Sequence, residues 1–198
     1  MDSVPKIVAT LQSAARQLRV PEPDYHSAKN IIGLSLDTAV ETLFPDYAHS
    51  HDALVEGYKH HYLSVDTTPT PLFEGVEETL HALKAKGYTL AVATGKSRKG
   101  LDRLLAETGL HRFFDFTRTA CDAESKPHPQ MLTQILQHFS MDADDAVMIG
   151  DTQIDMQLAA NAQMDAVGVT FGVHSSAELA PYKPIATVDS YPALLALF

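Results

Sequence analysis

The 198 residues suffice for one medium domain, or for a core with a smaller inserted or leading domain, and a content of 45% hydrophobic and 20% charged residues is that of a globular protein. A formal net charge of −10 gives a surface that repels nucleic acid and anionic membranes, so neither is expected as a partner. A single cysteine, Cys121, excludes an internal disulfide and points to a reducing cytoplasm, while no stretch reaches the ~20 apolar residues of a membrane span and the N-terminus lacks the pattern of a signal peptide.

The chain up to about residue 66 reads as helical. Val4, Ile7, Val8, Leu11, Ala15 and Leu18 recur at helical spacing, with Ser3 as the N-cap and Pro5 in the first turn. Pro21-Glu22-Pro23 breaks that helix. A short helix follows Asp24, and Ser35 caps another through Val40 and Leu43, which Pro45 stops. A longer helix covers roughly 49–63, with Leu54, Tyr58 and Tyr62 on one face. His49, His51, His60 and His61 lie on this helix and its flank, where neighbouring rings point apart, and they read as surface polar residues rather than metal ligands.

Thr67-Thr68-Pro69-Thr70-Pro71 is a stiff connector, and the expected boundary separates a helical domain, 1–68, from an α/β domain, 69–198. Beyond it the pattern alternates. Helix 75–86 ends at Gly87, and 88–93 is a continuous apolar run expected to be a strand covered on both faces. A helix at 97–108 ends at Gly109, followed by a strand at 114–119, after which Cys121 reads as a small half-buried residue. A helix at 129–139, a strand at 146–150, a helix at 153–162, a strand at 166–171 and a weak strand–helix pair complete the chain. The alternation predicts an α/β fold: a Rossmann-like parallel sheet with helices on both faces, accompanied by a helical domain.

Three motifs fall at strand ends, where doubly wound sheets bind ligands beside helix N-termini. Asp151 and Asp155, in Gly150-Asp151-Thr152-Gln153-Ile154-Asp155, place two carboxylates close together, and such a pair repels unless a cation joins it or one member takes a proton. Hard oxygen ligands of this kind suit Mg²⁺, which keeps waters and completes its shell with substrate oxygens. Thr94 ends the strand 88–93 on a hydroxyl, and Gly95 lets a backbone N–H approach an anion unobstructed. Lys126, in Ser125-Lys126-Pro127-His128-Pro129, supplies a positive charge just before a helix.

In this order and context, the motifs Ala91–Lys96, Ser125–Pro129 and Met148–Asp155 resemble those of the haloacid dehalogenase-like hydrolases, in the phosphoglycolate phosphatase-like branch. The resemblance implies a Mg²⁺-dependent phosphomonoester hydrolase acting on a small phosphorylated metabolite through an aspartyl-phosphate. Asp151 would ligate the metal and Asp155 orient its shell; Thr94, Gly95 and Lys126 would bind the phosphoryl group, with Thr94 and Lys126 serving catalysis. The helical domain would be the family's cap, whose loop at Gly33, in Ile31-Ile32-Gly33-Leu34-Ser35, helps select substrate. The motif after the second strand differs from that of the related phosphosugar mutases.

The family also carries a nucleophilic aspartate and an acid/base aspartate on an N-terminal strand ending Asp-x-Asp-Gly-Thr. Here Asp2-Ser3 fits only the tail of that pattern, so the first core strand and both aspartates are expected to be missing from this chain. As it stands, little or no turnover is then expected. The absent strand would lie at the sheet's centre, leaving two neighbours with unpaired edges that would favour homo-oligomers. The alternative is a non-catalytic phosphate-binding or oligomerisation module.

Overall fold

The computed structural model describes residues 1–198, which divide into two units, Met1–Phe73 and Glu74–Phe198. The first unit is helical: α1 (Val4–Gln17), α2 (Tyr25–Asn30), α3 (Leu36–Leu43) and α4 (His51–His60), with a 3-10 segment at Pro45–Ser50 and a π turn at His61–Val65. Local chemistry sets several boundaries. The Asp24 side chain accepts hydrogen bonds from the His26 and Ser27 N–H groups, and the Ser35 hydroxyl accepts one from Thr38 N–H. Ser3 occupies the N-cap of α1, but its side chain makes no capping bond.

Two apolar clusters hold this unit together. One gathers Ala15, Val20, Val40, Phe44, Leu54 and Val55; the other gathers Val8, Leu11, Ala28, Ile31 and Ala39. Helix α4 lies against α1 at Gly57, where a Cβ would meet the Ala14 Cβ at an ordinary contact distance of 3.5 Å. Residues 67–72 form no regular element, and their end is tied back to α1's start by the Asp2 N–H donating to Pro71 O at 2.8 Å. His51 Nε2 lies 2.8 Å from Phe44 O and His61 Nε2 lies 2.9 Å from Gln17 Oε1, so both rings serve local structure.

The second unit alternates helix and strand. In order it runs α5 (Val76–Ala85), β1 (Ala91–Ala93), α6 (Arg98–Thr108), β2 (Phe116–Arg118), α7 (Gln130–Phe139), β3 (Val147–Gly150), α8 (Gln153–Asn161), β4 (Asp165–Val169), α9 (Ser176–Leu179), β5 (Ala186–Val188) and α10 (Tyr191–Leu195). All strand pairs are parallel, in two sheets ordered β1-β2 and β3-β4-β5. Gly87 and Gly109 adopt the left-handed conformation after α5 and α6, as helix-terminating glycines do.

Strand β1 is shorter than the apolar run containing it, for an identifiable reason. The Leu90 N–H donates to the Asp115 side chain at 2.9 Å and Leu90 O accepts from Asp115 N–H at 2.8 Å, so a carboxylate replaces a regular ladder partner there. Nor is β1 covered on both faces, since Ala91 is exposed. The strand covered on both faces is instead β4, the middle one of its sheet, with Ala166, Val167, Gly168 and Val169 all buried. Helices α7 and α8 bury a cluster of Leu132, Leu158 and Met164 against which Ala93 of β1 and Met148 of β3 pack. The two sheets therefore share one core. Cys121, expected to be half-buried, is exposed. No helix is long and apolar enough to cross a membrane.

Inside α1, the fully buried Thr10 hydroxyl has no hydrogen-bond partner. A buried polar group left unpaired costs free energy that an apolar group of the same shape does not. Thr10→Val should therefore raise the unfolding free energy by about 1 kcal/mol in urea titration; a lower midpoint would contradict this account.

Candidate active site

The turn from β3 into α8 carries a buried polar network. Thr152 is the N-cap of α8, and its hydroxyl oxygen accepts from Asp155 N–H at 2.9 Å. In return, Asp155 Oδ2 accepts from the Thr152 N–H at 3.2 Å and from the Thr152 hydroxyl at 2.7 Å. This reciprocal capping box fixes the Asp155 carboxylate in the first turn. Its other oxygen, Oδ1, accepts from Lys126 Nζ at 2.8 Å, in an ion pair whose side chains are only 5% and 8% exposed.

Lys126 is brought there by the segment ahead of α7, which contains a cis Lys126–Pro127 bond. Asn161, at the far end of α8, donates to Pro127 O at 2.8 Å and fastens the same segment. Gly150 is demanded by packing: a Cβ there would lie 2.3 Å from the Asp155 Cβ.

Asp151 stands beside this pair without a cation of its own at hydrogen-bond distance. Its Oδ2 accepts from Val173 N–H at 2.9 Å. Burial, and then the charge of Asp155, push the Asp151 carboxyl above its ordinary range, against the opposing pull of the Val173 N–H and Lys126. Burial, and then Asp151's own charge, push the Tyr191 hydroxyl up to about 12. The two carboxylates are thus inequivalent: one is neutralised by lysine, the other is partly desolvated and ionised at a cost.

The residues expected to bind phosphate lie at the end of β1. Thr94 N–H extends the β1-β2 ladder to Arg118 O at 3.0 Å, and the Thr94 hydroxyl accepts from Lys96 N–H at 3.2 Å. The Ser97 hydroxyl caps α6. Burial holds the Lys96 ammonium below its usual range. Lys126, Asp151 and Asp155 are therefore brought together, whereas no hydrogen bond joins Thr94 or Gly95 to them; these residues are related through the core that Ala93 and Met148 share. Gly33 belongs to the helical unit, where its φ of 115° turns the chain between the bridged residues Ile32 and Leu34.

The chemistry of the donor set fits a hard divalent cation at Asp151. No group of three or more His, Cys, Asp or Glu side chains forms a closed metal cage. Mg²⁺ typically takes one or two carboxylates and fills its shell with water and substrate oxygens, so an incomplete protein shell suits it. Asp155 has both oxygens engaged by Lys126 and Thr152, and this suits holding the site's geometry better than binding metal directly. Sequence reasoning missed Thr152, although Thr-x-x-Asp has the form of a capping box, and it missed the Gly172–His174 segment, for which there was no sequence signal.

The profile of the haloacid dehalogenase-like hydrolases matches residues 1–169. The chain is 34% identical over 196 residues to Probable phosphatase IndB of Dickeya dadantii, covering 96% of this chain and 85% of that one. It is 28% identical to a phosphoglycolate phosphatase of Aliivibrio fischeri, over 100% of this chain and 91% of the relative. Its fold matches a haloacid dehalogenase-like hydrolase from Streptococcus pneumoniae with a TM-score of 0.84, at 24% identity, over 100% of this chain and 92% of that structure.

Two substitutions test the electrostatics. Lys126→Met leaves Asp155 buried without its counter-ion and should cost about 3–5 kcal/mol of stability in denaturant titration. Asp151→Asn should act in the opposite direction. Because the folded-state pKa of Asp151 lies above the unfolded value, ionisation of this group costs stability above the folded pKa. That cost shrinks as pH falls through the folded pKa and vanishes below the unfolded value near 3.8. In metal-free buffer the variant should therefore melt higher than the wild type at pH 7, with the gain disappearing in acid; an equal or lower melting temperature at pH 7 would refute the assignment.

Proposed function

The chain belongs to the haloacid dehalogenase-like hydrolase family, and on that premise we propose that it is the metal- and phosphate-binding body of a Mg²⁺-dependent phosphomonoester hydrolase. The observation that carries this reading is the asymmetric acid pair at the carboxyl end of β3, with Asp155 bound to buried Lys126 and Asp151 desolvated beside it. The names of the Dickeya dadantii and Aliivibrio fischeri relatives support a phosphatase, with a small phosphorylated metabolite such as phosphoglycolate as substrate.

In this proposal each residue has a defined task. Asp151 offers an oxygen to the cation, while Asp155 fixes Lys126 and the first turn of α8. Mg²⁺, when bound, would neutralise charge on the phosphoryl oxygens. Lys126 has donors left to turn toward the phosphoryl group, since an ammonium has three and Asp155 takes one. Thr94 and Gly95 present a hydroxyl and a backbone N–H to a phosphoryl oxygen, next to the N-terminus of α6.

Attack by an aspartate oxygen on phosphorus, breaking the ester P–O bond, and proton donation to the leaving oxygen need two further carboxyl groups. In our reading these are not among the 198 residues. The division into two sheets, with β1 and β3 each paired on one side only, supports placing the strand that bears them between these two. The helical unit acts as cap, with the Gly33 loop contributing to substrate choice, in a cytoplasmic protein that binds neither nucleic acid nor membrane. The one-sided strands would also allow self-association.

The test is hydrolysis of an aryl phosphate and of phosphoglycolate, with Mg²⁺ or with chelator. The 198-residue chain is compared with a version given an added N-terminal strand ending Asp-x-Asp-Gly-Thr. Turnover is expected only in the extended version with Mg²⁺, and should be lost in its Asp151→Asn and Lys126→Met variants. Turnover indifferent to chelator and to Asp151→Asn would overturn the proposal, as would inactivity of both versions together with failure to bind Mg²⁺, an outcome that fits the non-catalytic module.

A further inference from the structure

The loop after β4 returns to the end of β3 and makes three hydrogen bonds there, two to Asp151 and one to Gln153. Val173 N–H donates to Asp151 Oδ2 at 2.9 Å, and His174 N–H donates to the Asp151 carbonyl at 2.9 Å. The N–H of Gln153, first residue of α8, donates to His174 Nδ1 at 3.1 Å. The His174 ring that receives it is 2% exposed.

Gly172 completes the grip by having no side chain. A Cβ at this position would lie 2.0 Å from Asp151 Oδ2, 2.5 Å from its Cβ and 2.6 Å from its Cγ. The φ of Gly172 is outside the left-handed range, so the backbone conformation does not ask for glycine. Proximity to the carboxylate does.

We propose that Gly172 and His174 are positioning residues for Asp151. Gly172 admits the carboxylate to the Val173 N–H, and His174 locks the turn from β3 into α8 by taking the otherwise orphaned first N–H of the helix. This rests on the reading of Asp151 as the metal-facing carboxylate. Neither residue touches the substrate or the metal; both act by holding Asp151 in one orientation. Outer partners of metal ligands carry affinity in this way, typically a factor of roughly 10–100.

The experiment combines Mg²⁺ titration calorimetry, urea unfolding and crystal structures of the full chain and its variants. Gly172→Ala should move the Asp151 carboxylate off the Val173 N–H and weaken Mg²⁺ binding roughly 10–100-fold, leaving the protein folded. His174→Leu fills the ring's space without an acceptor and should weaken binding similarly. His174→Asn, whose Oδ1 can take the place of Nδ1, should restore most of the affinity, a rescue that a purely space-filling role would not produce. If His174→Leu fails to fold, Gly172→Ala and His174→Asn decide the matter.

An unmoved carboxylate in Gly172→Ala overturns the proposal, as does a displaced carboxylate with unchanged affinity. Wild type that binds no Mg²⁺ would defeat the metal reading. The position of the carboxylate in the Gly172→Ala crystal structure would then by itself uphold or overturn the loop's hold on Asp151.

Discussion

The buried ion pair between Lys126 and Asp155 is the constraint around which the α/β unit is organised. It joins residues 29 apart in sequence, at 2.8 Å, where both side chains are almost fully withdrawn from water. Desolvating two charges costs several kcal/mol per ion, and their attraction offsets that only when the remaining donors and acceptors are also met. The Thr152 hydroxyl and N–H meet the second Asp155 oxygen, and Asn161 ties down the segment that delivers Lys126. The pair is thus a device for placement more than a source of stability. It locks the approach to α7 against the start of α8, and so fixes where a positive charge stands relative to the end of β3.

That placement explains the unequal treatment of the two acids. Had both been paired with lysine, the site would have little use for a cation. With Asp155 paired to lysine, burial and then the charge of Asp155 make ionisation costly at Asp151. A carboxylate in that condition gains from a divalent ion more than an exposed one does, because the ion replaces lost hydration. Against a net charge of −10, which repels anions at long range, Lys126 sets a buried positive charge at the carboxyl end of β3.

Much of the architecture was legible because it depends on local pattern. Helix ends followed their punctuation: Asp24 and Ser35 cap α2 and α3, and Gly87 and Gly109 turn the chain after α5 and α6. The alternation of apolar runs and helical periods announced a parallel α/β unit. What stayed hidden depends on contacts distant in sequence. The run 88–93 reads as a full strand, but the Asp115 carboxylate that takes the Leu90 N–H comes from beyond α6. Lys126 could be singled out by the two prolines that follow it, Pro127 and Pro129, yet nothing local announces that its partner is Asp155. His174 carries no motif, because its role exists only once β4 lies beside β3 and the following loop folds back.

Two glycines illustrate how the site is held without bulk. Gly150 lies against Asp155 and Gly172 against Asp151, each so closely that a methyl group would collide with the carboxylate side chain it faces. Neither position has the left-handed backbone that usually explains a glycine. Each acid is therefore seated with one side against bare main chain, where a side chain would otherwise intrude. The entropic cost of glycine, roughly 0.5–1 kcal/mol at each position, is small beside the cost of a misplaced buried carboxylate. Such seating also limits motion: an acid wedged against the main chain has few rotamers to choose from, so its orientation is set before any ligand arrives, and the ordering that binding would otherwise impose has already been met in folding.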